Sequence, residues 1–342
     1  MIGPAVSRDI ERVLVIVLGS LGDAVLATAP MAALRAHHAS AHITVLTPKC
    51  NVRFFANSPF VDRVDARWPI KKPMDKVRFH WALRNERYGM IYDLTNNDDS
   101  DALFKALNPF PPNWSGDVEG CSHPHVDRSR LTLHRLDRHA DQLMMCSIGP
   151  KDGFAPGLSP LPDLDWTAAL LGEPNRAAPS QHGIIGPFAF LAPEGAPDDP
   201  NKRWPSARYG ELANALLTRN VQPVLVGGPN AVNLAREIRA IAPKSLDLVA
   251  RLDLFQFIAL AQKSSLAVGS ESDLTIIAAA AGAPTLAIIN PNETSVRKAA
   301  PRGLDTVGLV ARNFETISVS DVLASARAVA QFLTETVSSA PS

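Results

Sequence analysis

The stretch Val13-Leu14-Val15-Ile16-Val17-Leu18-Gly19-Ser20-Leu21-Gly22-Asp23-Ala24-Val25-Leu26 decides how this chain folds. Six consecutive apolar residues, 13–18, read as a strand buried on both faces. The run is too short to cross a membrane, and no signal-peptide cleavage pattern follows it. Gly19 and Gly22 then let the backbone turn sharply, and residues 24–37 read as the helix that follows. A strand that enters a helix through a glycine turn is the opening unit of a parallel sheet covered by helices.

The same alternation continues outward. Residues 43–46 and 90–94 read as strands, with a helix around 78–87 ahead of the second. Residues 96–127 carry Pro109, Pro111 and Pro112 and give no clear element, and a polar helix follows over 132–146. Between 149 and 187, prolines 150, 156, 160, 162, 174, 179 and 187 accumulate without periodicity, as in an interdomain connection. Beyond it the pattern restarts. Residues 188–192, 224–226, 266–268 and 285–289 read as strands. A helix over 206–219 carries Tyr209, Leu212, Ala213, Leu216 and Leu217 on one face. Further helices end near 238 and span 275–281. Two α/β domains are expected, 1–165 and 187–342, joined by the Pro-rich connection 166–186.

Bulk properties agree. A chain of 342 residues suits two cores rather than one. Hydrophobic residues are 46% and charged residues 20%, a globular composition. Lys+Arg and Asp+Glu are both 34, so overall charge does not point to nucleic acid. Cys50, Cys121 and Cys146 form neither a metal pattern nor an even disulfide framework, which predicts a reducing, cytoplasmic setting.

Three loops could carry chemistry. In the first, Gly19, Ser20 and Gly22 offer close backbone approach and Asp23 heads the helix, as a base or simply as its cap. The second holds Ala192-Pro193-Glu194-Gly195 and then Lys202-Arg203-Trp204-Pro205. Lys202 there is a point charge suited to phosphate, or part of a basic turn whose Trp204 and Pro205 dock the helix start. The third, Gly269-Ser270-Glu271-Ser272-Asp273, again joins a strand end to a helix N-terminus, where open α/β sheets bind ligands. Residues 67–87 hold Lys or Arg at 67, 71, 72, 76, 78, 84 and 87 against Asp75 and Glu86. Such a run usually forms a solvated face; it also fits peripheral contact with an anionic membrane or a sugar phosphate. Asp98, Asp99 and Asp101 are the best metal candidates, but lie away from the third loop, so no metal and no cofactor is expected.

Taken in order, these segments resemble glycosyltransferase family 9, the lipopolysaccharide heptosyltransferases. The opening 13–30, Leu83-Arg84-Asn85-Glu86-Arg87-Tyr88 before Ile91-Tyr92-Asp93-Leu94, and Lys202-Arg203-Trp204-Pro205 with Tyr209 are similar to that family. So are Val226-Gly227-Gly228-Pro229 and the loop at Gly269 with Gly282-Ala283-Pro284. The resemblance implies a GT-B fold, two Rossmann-like domains facing each other across a cleft. It also implies inverting, metal-independent transfer of a heptose or related sugar from a nucleotide sugar, ADP-heptose-like, to a lipopolysaccharide or other glycan acceptor. Asp23 would be the base and Lys202 would stabilise the leaving diphosphate. Glu194, Gly227, Gly228, Gly269, Ser270, Glu271, Ser272 and Asp273 would lie at the donor, and Gly19, Ser20 and Gly22 on the acceptor side.

The third loop departs from the family's usual Gly-Asn-Asp-Ser-Gly-Pro-x-His. Ser270, Glu271, Asp273, Leu274 and Ile276 stand where Asn, Asp, Gly, Pro and His are usual, and Ala192-Pro193-Glu194 replaces His-Pro-Gly. Asp273 adds negative charge beside the expected diphosphate. The competing reading is therefore a catalytically silent relative that binds a glycan, a nucleotide or a protein.

Overall fold

The computed structural model describes residues 5–150, 152–155, 157–172, 176–195, 203–289 and 300–333. The chain divides into two compact units, Met1–Pro162 and Asp163–Ser342.

The first unit runs β1 (Arg12–Ile16), α1 (Leu21–His37), β2 (His42–Pro48), α2 (Val52–Phe55), β3 (Arg63–Trp68), α3 (Pro73–Asn85), β4 (Met90–Asp93), α4 (Asp98–Ala106), β5 (Asn113–Gly116), β6 (His123–Pro124) and α5 (Arg135–Met145). Its sheet is parallel, in the order β3-β2-β1-β4-β5-β6. β1 is central, and its apolar run is buried on both faces, as a fully covered strand must be. The order reverses between β1 and β4, so the loops after those two strands flank the switch point where such sheets take ligands. Leu14, Ile16, Ile91, Leu103, Phe104 and Trp114 form one side of the core.

The second unit repeats the plan with β7 (Phe188–Ala192), α6 (Ser206–Leu217), β8 (Gln222–Leu225), α7 (Val232–Ile241), β9 (Leu246–Asp247), α8 (Leu254–Ala261), β10 (Leu266–Ser270), α9 (Asp273–Ala280), β11 (Thr285–Ile289), β12 (Thr306–Val310) and α10 (Val319–Ala326). Its parallel order is β12-β11-β10-β7-β8-β9, with the switch point between β7 and β10. The described residues of the expected connection, 166–172 and 176–186, belong to this unit. Trp166 meets Phe255 of α8 edge to face at 6.2 Å, and Leu171, Ala177 and Ile184 are buried.

Two stretches differ from the sequence reading. Residues 96–127 contain α4, β5 and β6; β5 has four residues and β6 two, too short to show a period among prolines and glycines. The basic run is not one face either. Arg67 lies in β3, where its Nε donates to Asp65 at 2.8 Å and its guanidinium sits 4.9 Å from the Phe79 ring centroid. The helix begins at Pro73, a residue that suits a first helical position because its missing N–H would have had no partner there.

Candidate functional site

At the end of β1 the chain turns through Gly19 and caps α1 with Ser20. The Asp23 backbone N–H donates to Ser20 Oγ at 3.4 Å, while Ser20 N–H donates back to Asp23 Oδ2 at 2.9 Å. This reciprocal box satisfies two of the free N–H groups at the helix start. Gly19 must lack a side chain, because a Cβ there would collide with the Asp23 carboxylate. Gly22 is buried within the first turn. The fully buried Asn51 donates through Nδ2 to Gly19 O at 3.0 Å and Thr47 Oγ1 at 3.2 Å, fixing the loop from below.

Asp23 is therefore the reciprocal partner in the cap that Ser20 makes, and it has a further partner. Arg135, the first residue of α5, forms an ion pair with Asp23 Oδ1. No spacing announces that pair, since 112 positions separate the residues (135 − 23). α5 also carries Arg138, held below its usual range by burial and by the guanidiniums of Arg135 and Arg130.

The loop after β4 completes this end of the sheet. Thr95 Oγ1 accepts from Leu18 N–H at 2.8 Å, joining it to the β1 loop. Asp93 is wholly buried and accepts from Thr95 N–H at 3.0 Å and Asn96 N–H at 2.9 Å; burial pushes its carboxyl up to about 7. Gln142 of α5 donates to Asp93 O at 2.9 Å and accepts from Asn96 Nδ2 at 2.9 Å. Asn96 accepts in turn from Asp117 N–H at 2.9 Å, and Asp117 pairs with Arg130. His139, also on α5, makes its ring contact with Leu94 O at 3.0 Å and is driven by burial down to about 3, so it stays neutral near pH 7. The sequence reading missed this network; only its short polar residues just beyond a strand end hinted at it.

In the second unit the expected donor residues fall at three adjoining strand ends, those of β8, β7 and β10. Gly269 of β10 lies in register with Ala192 of β7, and a Cβ at Gly269 would strike Thr275 and Ala192. Glu194, two residues beyond β7, accepts from Gly228 N–H at 3.0 Å, so its carboxylate sits on the Gly227–Gly228 turn that ends β8. Ser270 is fully buried, and its Oγ accepts from Trp204 N–H at 3.5 Å. Ser272 caps α9 by accepting from Thr275 N–H at 3.3 Å; Glu271 and Asp273 beside it are half-buried. Ile276, at the family's His position, is only 8% exposed and packs into the unit.

Lys202 lies outside the described residues. The residues just after it are clear. Trp204 is buried, donates from Nε1 to Ile317 O at 3.0 Å and meets Tyr209 edge to face at 4.9 Å, while Tyr209 OH donates to Ala192 O at 3.2 Å. Trp204 thus docks the start of α6. Asp98, Asp99 and Asp101 occupy the first turn of α4, where carboxylates complement the helix dipole. Among the described residues no group of three or more His, Cys, Asp or Glu is arranged to hold a metal ion.

Comparison with known proteins gives the following. Residues 159–309 match the family model of glycosyltransferase family 9 (heptosyltransferase). The chain is 24% identical over 283 residues to lipooligosaccharide heptosyltransferase 2 of Haemophilus influenzae, covering 75% of this chain and 80% of that one. Among solved structures it is similar to a family 9 glycosyl transferase from Veillonella parvula, with TM-score 0.74, 17% identity, and 97% and 99% of the two chains covered. It is also similar to the ADP-heptose lipopolysaccharide heptosyltransferase II of Escherichia coli, with TM-score 0.71, 19% identity, and 94% and 98% covered.

Proposed function

Given that the chain is a heptosyltransferase-like enzyme of glycosyltransferase family 9 with the two-domain α/β GT-B fold, we propose that it transfers heptose or a related sugar from ADP-heptose or a similar nucleotide sugar. The acceptor is a hydroxyl of a lipopolysaccharide or other glycan. The observation that carries this reading is Asp23, a carboxylate fixed at the switch point of the first sheet by Ser20 and Arg135.

The chemistry runs as a single displacement. Asp23 takes the acceptor hydroxyl's proton as that oxygen attacks the anomeric carbon. The bond from that carbon to the diphosphate oxygen breaks, the electron pair leaves with the nucleoside diphosphate, and the configuration inverts. The growing negative charge on the diphosphate is met by Lys202 and by the N-terminal end of α9. No metal is required in this scheme. Arg130 and Arg135 are each paired with a carboxylate, Asp117 and Asp23, so Arg138 beside them is the cation that would suit an anionic core glycan.

A specific contact favours the binding-only alternative. Glu194 places its carboxylate on the Gly228 amide, a donor that a phosphate would otherwise find attractive. A panel of ADP-, GDP-, UDP- and dTDP-sugars, screened by thermal shift and by glycosyl transfer with and without EDTA, separates the two. Transfer from one donor that survives EDTA supports the enzyme. Binding without transfer supports the silent relative, and transfer lost on chelation and restored by magnesium contradicts the metal-free scheme.

A further inference from the structure

Helix α3 presents an apolar stripe on the side away from its own core contacts. Phe79 and Leu83 face inward and are buried, whereas Met74, Val77 and Trp81 are 66%, 63% and 68% exposed. At roughly 100° per residue the three exposed side chains fall within about 60° of one another, with their centre nearly opposite Phe79 and Leu83. A surface helix of a water-soluble unit normally puts charge there. Arg84 donates through Nη2 to Leu107 O at 2.6 Å and to Asn108 O, tying α3 to the turn that carries Phe110, itself 83% exposed.

Cations frame the stripe. Lys71, Lys72, Lys76, Arg78 and Arg84 are all exposed, and the one acid on the helix, Asp75, is drawn to Arg78 at 3.7 Å. Large apolar side chains lined by flexible cations, with a Trp among them, suit the boundary between lipid headgroups and acyl chains. Trp settles at that depth, and Lys and Arg reach outward to phosphates.

We propose that α3, with Phe110, is a membrane-docking surface that seats the first unit on an anionic phospholipid bilayer through Met74, Val77 and Trp81. The charge pattern selects this occupant. A second copy would bring five cations against five, which repel, whereas an anionic leaflet attracts each of them. The proposal goes beyond the transfer reading and requires no turnover, so either can fail alone.

The test is co-sedimentation of the full chain with vesicles of phosphatidylcholine alone and of equimolar phosphatidylcholine and phosphatidylglycerol. Binding is expected on the mixed vesicles, on the order of tenfold above phosphatidylcholine alone, and it should fall as salt screens the cations. Trp81→Ser with Met74→Ser should lower the bound fraction about tenfold, and so should Lys71→Gln with Lys72→Gln and Lys76→Gln. All five side chains are exposed, so each variant should keep the parent Tm. Quenching of tryptophan emission by brominated lipid, lost in Trp81→Phe, places the ring in the bilayer without altering the helix. Equal binding by all variants, no preference for the anionic vesicles, or self-association that Trp81→Ser abolishes would overturn the proposal.

Discussion

Arg135 forms an ion pair with Asp23 across two helices of the first unit, while Ser20 holds the other carboxylate oxygen. Both oxygens of the proposed base are thus engaged by the protein. Such a carboxylate is oriented, but it must exchange one partner for the acceptor hydroxyl.

Arg135 acts as a positioning residue in this account. Arg135→Ala should lower kcat about tenfold while leaving donor Kd unchanged, and Arg135→Lys should recover part of the loss. The pair is partly solvated, with 32% and 23% of the two side chains exposed, so the cost in stability should stay within ~1 kcal/mol. Steady-state kinetics alongside urea unfolding checks both halves. An unchanged kcat would show that the ion pair serves only the fold.

Asp93 predicts a pH dependence of stability. Burial raises its carboxyl to about 7, so the folded state holds a proton that the unfolded chain releases near pH 4. That contribution is fully present below the unfolded pKa and is lost as pH rises through about 7. Asn keeps an acceptor for the Thr95 and Asn96 N–H groups but does not ionise. Asp93→Asn should therefore gain stability relative to the parent between pH 5 and pH 8, by about 1 kcal/mol or more. Urea unfolding at the two pH values measures the gain. A parent–variant difference independent of pH would contradict it.

The sequence exposed the scaffold better than the site. Long apolar strands such as 13–18 and 188–192 carry their own signal, because a strand covered on both faces must be apolar throughout. The glycine loops were also legible, since Gly19 and Gly269 lie where a Cβ would collide with a neighbouring side chain. What stayed hidden depends on contacts between distant residues. Arg135 reads as one more charge on a polar helix until the fold brings α5 to α1. Asp93 reads as a strand end until Gln142 and Asn96 close over it. The burial of Ser270 against the Trp204 backbone likewise has no sign in its own neighbourhood of the sequence.

At the expected donor end, charge rather than shape should set affinity. Glu194→Gln keeps an acceptor for the Gly228 N–H and removes the negative charge, and Asp273→Asn does the same at the start of α9. Each should tighten ADP-sugar binding by about threefold to tenfold, since charge acts strongly in a poorly hydrated pocket. Ile276→His should instead lower stability by ~2 kcal/mol, because Ile276 is buried and a polar imidazole there must give up its hydration. Calorimetry with ADP-heptose measures the first two. Weaker binding in Glu194→Gln would show that Glu194 holds the donor loop in its working shape.

The central claim is that this chain is a working sugar transferase whose base is Asp23. The most direct measurement is the transfer rate from the best donor of the panel, in the parent and in Asp23→Asn, with donor Kd measured on the same samples. Asn at this position can still accept from Ser20 N–H, so the helix cap survives, while proton transfer and the ion pair with Arg135 are removed; the expected fall therefore has to exceed the roughly tenfold loss of Arg135→Ala. The account predicts a fall in kcat of ~10²-fold or more with donor Kd unchanged. A rate in Asp23→Asn equal to the parent's would contradict it.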